Sequence, residues 1–184
     1  MNKLSFLIPF FLILFLTISC QRQSKKSALE NVHKSYFDLT QIVQQDVNNN
    51  IKNEQSEEKT FFINGKRESK KIIKVDWQKE MEILMECDIN KPNWNEKFNV
   101  QSFVDEKKII YTSISSKIQI KKMIVYYAKD TTQIASIEIE KETKSILFYN
   151  QQHIVYIPTQ SFKIKSTQRA LFMKDFNTEV EVKY

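Results

Sequence analysis

Residues 135–140 read Ala-Ser-Ile-Glu-Ile-Glu, and this strict alternation of apolar and polar side chains decides the fold. Only a strand places every second side chain on one face, so half of the segment must pack and half must meet water. The pattern continues outward in both directions. Upstream, Ile118, Ile120 and Ile124 alternate with Gln119, Lys121 and Met123. Downstream, residues 146–150 and 153–157 read as a hairpin turning at Gln151 and Gln152. Phe162 with Ile164, residues 170–173, and Val180 with Val182 supply the last strands. From Phe98 onward, short runs rich in Ile, Val, Tyr and Phe separated by polar turns predict an antiparallel meander.

The first half of the chain supplies a cover. Leu29, Val32, Tyr36, Leu39, Val43 and Val47 recur at spacings of three and four, which predicts an amphipathic helix over residues 27–49. The one glycine, Gly65, follows Asn64 between residues 59–63 and 66–75. Asn-Gly tolerates the positive φ that a tight hairpin turn demands, so these two runs should pair antiparallel. Asp76 offers a helix cap, and Trp77, Met81, Leu84 and Met85 share one face of a second, short helix ending near Cys87. A half-polar sheet must cover its apolar face, and the helices are the available cover. The expected fold is α+β: an N-terminal amphipathic helix and a short second helix packed on one curved antiparallel β-sheet, a meander that could curl into a half-barrel.

The N-terminus addresses the chain. Lys3 precedes an apolar run from Leu4 to Ile18 that ends at Ser19 and Cys20. A positive start, an apolar stretch and a small residue before the cleavage point make a secretory signal over residues 1–19. The run holds about 15 apolar residues and includes Pro9, against about 20 for a membrane-spanning helix. Leu16-Thr17-Ile18-Ser19-Cys20 resembles the lipobox of bacterial lipoproteins. That resemblance implies cleavage between Ser19 and Cys20 and lipidation of Cys20. Thr17 departs from the usual leucine. Two or three acyl chains, at about 0.8 kcal/mol per buried methylene, would hold the protein durably on a membrane. Gln21 stands where, in that family, an aspartate favours inner-membrane retention, so the outer membrane is the expected address. Residues 20–27 form a polar tether in which Arg22, Lys25 and Lys26 could touch anionic headgroups, and residues 28–184 form one domain.

Composition and absences narrow the chemistry. The net charge of +6 is spread over strand lysines such as Lys117, Lys121, Lys122, Lys163 and Lys165, the pattern of a solvated face rather than a nucleic-acid site. A single glycine cannot build a Walker loop or a dinucleotide fingerprint, and no HExxH, CxxC or GxSxG motif occurs. No cofactor is therefore expected. Acylation of Cys20 would leave Cys87 alone, with no intrachain disulfide to make and apolar neighbours that suit a small buried hydrophobe. His33 and His153 lie on different elements and carry no metal pattern, so no metal ligand is assigned. Glu80, Glu82 and Glu86 on the short helix, and Glu138 with Glu140 on one strand face, read as solvated carboxylates rather than acid–base pairs.

Residues 76–94, DWQKEMEILMECDINKPNW, are the most distinctive internal stretch. Asp88 and Asn90 can bond nearby backbone amides, Pro92 fixes φ, and Trp77 and Trp94 offer large packing surfaces. One reading makes this a structural plug. The other makes Asp88, Asn90, Lys91 and Trp94 an exposed binding rim on a rigid scaffold. The stretch resembles a segment of uncharacterised small lipoproteins of the Bacteroidetes, in which a helix opening at Asp-Trp runs into Asp-Ile-Asn-Lys-Pro. The resemblance implies class and location but transfers no activity. The leading expectation is a non-catalytic binding or assembly module facing the periplasm, acting on an envelope protein through its sheet face or this loop. The alternative is a carrier holding a lipid or other apolar ligand in a pocket between helix and sheet, lined by residues such as Ile109, Ile110, Tyr111, Tyr126, Tyr127, Phe148 and Tyr149. A carrier needs an empty interior, whereas a module needs a filled one and an exposed patch.

Overall fold

The alternating runs pair into one antiparallel sheet, seen in a computed structural model that describes residues 36–128, 133–171 and 174–184. The expected signal, Ser19, Cys20, the tether, Leu29, Val32 and His33 lie outside the described residues, as do Phe172 and Met173. Among the described residues nine strands run in the order β2-β1-β9-β8-β7-β6-β5-β4-β3. They are β1 (Glu57–Ile63), β2 (Lys66–Ile72), β3 (Phe98–Phe103), β4 (Lys108–Ser113), β5 (Ile120–Tyr127), β6 (Ile134–Lys144), β7 (Phe148–Ile157), β8 (Ser161–Ala170) and β9 (Phe176–Lys183). The sheet is open, with β2 and β3 at its edges, so it does not close into a barrel. The protein is mainly β with a few short helices: α1 (Leu39–Lys52), α2 (Trp77–Glu80) and α3 (Glu82–Met85).

The Asn-Gly hairpin forms as its chemistry requires. Asn64 and Gly65 adopt φ of 47° and 85°, and Ile63 pairs with Lys66 across the turn. After β2 the chain travels through α2, α3 and a 3-10 turn (Pro92–Trp94) to β3 at the opposite edge. A plain meander then returns it to β9, which closes on β1 with Thr60 opposite Glu181.

Among the described residues helix α1 begins at Leu39, and two interactions hold Tyr36, Phe37 and Asp38 out of it. The Asp38 carboxylate caps it by accepting from the Gln41 N–H at 3.0 Å. Just before it, Asn90 accepts from the Tyr36 N–H at 3.0 Å and donates to the Phe37 carbonyl at 2.8 Å, binding those backbone groups outside helical pairing. Leu39, Val43 and Val47 are fully buried on its inner stripe. The second expected helix is broken at Met81, which caps both α2 and α3 with φ −95° and ψ 1°.

Two strand expectations are corrected. Residues 146–157 do not fold as a hairpin about Gln151 and Gln152; both glutamines lie inside the continuous strand β7, paired with Thr167 and Ser166. The turn falls earlier, where Ser145 donates its N–H to the Phe148 carbonyl at 2.7 Å and its Oγ accepts from the Phe148 N–H at 3.1 Å. A Ser side chain can close a turn on nearby backbone in this way, whereas Gln-Gln has no turn chemistry of its own. Ala170 likewise ends β8 instead of starting a strand. In β5 a bulge at Lys121 inserts one residue between Ile120, opposite Lys141, and Lys122, opposite Glu140. The insertion flips the pleat, so Met123 and Val125 are buried in place of Ile124.

One face of the sheet and the helices enclose a single core. Met81, Leu84, Cys87 and Ile89 join the α1 stripe against Tyr111, Met123, Val125, Ile137, Ile139, Ile154, Tyr156, Phe162 and Val182. Among the described residues no helix is long and apolar enough to cross a membrane.

Candidate interaction surface

The residues expected as a rim are engaged within the fold. Asp88 accepts from the backbone and side-chain amides of Asn90, both at 3.2 Å. Asn90 is the clasp on Tyr36 and Phe37 described above. Lys91 donates to the Glu86 carbonyl at 3.0 Å and lies 4.5 Å from the centre of the Trp94 ring. Trp94 packs partly against the core beside Phe98. These are the contacts of a structural plug, with the outer surfaces of Lys91 and Trp94 only half exposed.

Among the described residues, the side chains of the core between helices and sheet are packed together and almost fully buried. Its polar members are specific. Asp46 is buried on α1 and accepts from Tyr156 Oη at 2.6 Å, the Thr159 N–H at 2.6 Å and Tyr184 Oη at 3.1 Å. Burial first, then the Asp46 hydrogen bond, pushes the Tyr156 hydroxyl far above its ordinary value, and burial with Asp46 does the same to Tyr184. Burial also lifts the Cys87 thiol to about 11, and its Sγ donates to the Ile83 carbonyl at 3.2 Å. A thiol so placed is almost wholly protonated near neutral pH.

Glu57 is one of two unsatisfied buried groups among the described residues. Its Oε2 and the Asn50 Nδ2 are buried without hydrogen-bond partners. Burial raises the Glu57 carboxyl above the usual glutamate range, Glu80 adds to the rise, and Lys59, paired to Glu80 at 2.5 Å, opposes it. A raised folded value means the native state holds the proton more tightly than the unfolded chain. That contribution is complete below about pH 4.5 and is lost as pH climbs through the folded value. Glu57→Gln should therefore gain stability relative to the parent between pH 4 and pH 7. Urea unfolding at the two pH values checks this; a pH-independent difference between the proteins would sink it.

The sheet face turned away from the described helices carries a different chemistry. Cross-strand partners Arg67, Phe62, Glu179, Lys165, His153, Glu140 and Lys122 form one row from β2 to β5. Lys165 lies 3.5 Å from Glu179, Lys122 4.0 Å from Glu140, and the Arg67 guanidinium 5.5 Å from the Phe62 ring centre. A neighbouring row pairs Lys163 with Glu179 at 3.2 Å and Glu181 at 3.7 Å. Such half-exposed pairs each contribute at most roughly 1 kcal/mol, so they set register and surface potential more than stability. Toward the hairpin tips the row opens into a groove of about 570 Å³, where Gln151, Thr167, Asn177 and Asn64 add amides and hydroxyls. Thr167 Oγ1 donates to Asn177 Oδ1 at 2.9 Å, and the Asn177 N–H donates to Asn64 Oδ1 at 3.4 Å.

The same end of the sheet is apolar at its turns. Ile146 is 98% exposed, Leu147 62% and Leu171 54%, and the Leu171 N–H donates to the Leu147 carbonyl at 3.0 Å, tying two turns together. Sequence reading missed the groove because it took Gln151 and Gln152 for a turn; the signal lay in Gln151, His153 and Val155, alternate residues of one strand. Among the described residues no group of three or more His, Cys, Asp or Glu side chains could hold a metal ion. No protein-family model matches the chain, and neither a curated protein nor a solved structure matches it.

Proposed function

We propose that the chain is a lipid-anchored envelope lipoprotein whose domain is a non-catalytic binding module, engaging a polar envelope partner through the groove face of its sheet. The observation that carries this reading is the pairing of a filled interior with an outward groove of amides, hydroxyls and charge bordered by exposed apolar turns. Open and lined by amides, hydroxyls and charged groups as well as carbon, such a groove suits an extended polar chain better than a small apolar ligand, which favours a concave apolar pocket. The anchor rests on the lipobox-like run into Cys20, and the outer membrane on Gln21. Tethering would raise the module's effective concentration near partners on that membrane. The carrier alternative loses support from the packed core.

The test is photo-cross-linking in cells from a benzophenone amino acid placed at Gln151, compared with Lys71 on the β2 edge. A discrete adduct from position 151 and none from position 71 is expected. Equal labelling, or none from position 151, contradicts the assignment of this face.

A further inference from the structure

The two ends of the sheet differ in their turns. At the end where β1, β6 and β8 finish, the turns present the exposed Ile146, Leu147 and Leu171, with Ile63 and Phe176 exposed beside them. The hairpin that carries Ile146 stands out from the sheet. Strand β6 runs on to Lys144 past Lys141, which faces Ile120 at the start of β5, and this takes its turn about 10 Å beyond that strand. The Leu171–Leu147 backbone bond joins the two apolar turns into one tip. Around the tip Lys66, Lys117, Lys144 and Lys174 are exposed, and among the described residues none of them is in an ion pair, whereas Asp175 is held by Arg169 at 3.0 Å. At the opposite end Val104, 82% exposed, is followed instead by Asp105 and Glu106. The described chain also begins at the basic end, where the Tyr36 ring meets Phe98, the partner of Ser113 at the close of β4.

We infer that this tip docks on an anionic lipid bilayer, Ile146, Leu147 and Leu171 entering the boundary between headgroups and acyl chains while the lysines meet headgroup phosphates. Apolar side chains beside basic ones suit that boundary, which takes up apolar surface to a depth of about 5–10 Å and attracts each nearby lysine. Side chains projecting from turns fit a fluid that closes around them, whereas a protein partner must offer a matching pocket to each. The inference rests on the proposed anchor to bring a membrane near. Sixteen residues lead from Cys20 to Tyr36, a reach of at most about 55 Å, which permits this end of the domain to touch the surface. Docked by its tip, the sheet stands on the bilayer instead of lying flat, and its groove face stays open to a partner beside the membrane.

The test uses the full chain reconstituted into vesicles of phosphatidylethanolamine and phosphatidylglycerol. Ile146→Cys and, at the opposite end, Val104→Cys each carry a polarity-sensitive fluorophore, and the parent, which keeps Cys20 and Cys87, sets the labelling background. Emission from position 146 should shift to the blue and be quenched by lipids spin-labelled near the headgroup, and position 104 should show neither effect. Lys66→Glu combined with Lys144→Glu should lower the ratio of docked to undocked protein by about 25-fold or more, each lysine near a strongly anionic surface contributing about fivefold. Leu147→Ser combined with Leu171→Ser should abolish the quenching at position 146 while the chain still floats with the vesicles. Protein that does not float overturns the anchor and this inference together. Floating protein whose label at position 146 is quenched no more than at position 104 overturns the docking alone. So does a blue shift at position 146 seen in native envelopes and absent from the vesicles, which would give the tip to a protein partner.

Discussion

Replacing Asp46 with alanine should destabilise the domain by about 3 kcal/mol or more, because hydrogen bonds to a charged group contribute about 1.5–3 kcal/mol and three donors converge on this one carboxylate. The loss leaves the Tyr156 hydroxyl buried without its acceptor, which is costlier than never having placed it there. It also frees the turn at Thr159 and the end of β9 at Tyr184 together, since one oxygen, Oδ2, serves all three. In a domain of this size the melting temperature should fall by roughly 6–12 °C. Asp46→Asn should cost less, because an acceptor oxygen survives. The alkaline limb follows from the same site. Both tyrosine hydroxyls are raised above the ordinary 10.0, so the stability they lend is complete below that pH and is lost as pH rises above it. Thermal unfolding of the parent and both variants at pH 7 and pH 10.5 checks the ranking. An Asp46→Ala protein as stable as the parent would show that the carboxylate does not organise this corner.

Trp77→Ala should cost about 3–5 kcal/mol, the range for emptying a buried aromatic site. Trp77 is 2% exposed, donates its indole N–H to the Gln55 carbonyl at 3.2 Å and meets the Tyr184 ring edge-on at 5.0 Å between centres. It thus fastens the loop after α1, the start of α2 and the end of β9 in one contact set. Trp77→Phe should recover most of the packing while leaving the Gln55 carbonyl without that donor. Urea denaturation of the two variants separates these contributions, and an alanine variant within 1 kcal/mol of the parent would contradict the packing described. Since Asp46 and Trp77 both hold Tyr184, their costs should fall short of additive in the double variant.

Sequence made local features legible and left long-range ones hidden. Asn64-Gly65 announced its hairpin because positive φ is a property of those two residues alone. Residues 135–140 announced a strand because alternation needs no partner to be read. Trp77, Met81 and Leu84 announced a buried face, although the break at Met81 did not show. The inversion at Lys121 was invisible, since a bulge is defined by the neighbouring strand and not by the chain that carries it. The start of α1 was hidden for a related reason: Asn90, far along the chain, holds Tyr36 and Phe37 out of the helix. Of the candidate surface, Glu138 and Glu140 were seen to share a face. The row linking Phe62, Glu179, Lys165 and His153 could not be seen, because β1 and β9 are joined only by the fold. Residues 76–94 were distinctive in sequence, and within them Asp88, Asn90, Lys91 and Trp94 make the contacts that hold the crossover from β2 to β3.

The proposed binding module would work from its surface and not from its interior. Native mass spectrometry of the full chain, isolated from its own envelope, tests that most directly. The mass should correspond to the polypeptide with whatever acyl groups are covalently attached at Cys20, and with no lipid lost on gentle activation. A stoichiometric lipid or other apolar molecule, held without a covalent bond and released on activation, would contradict it.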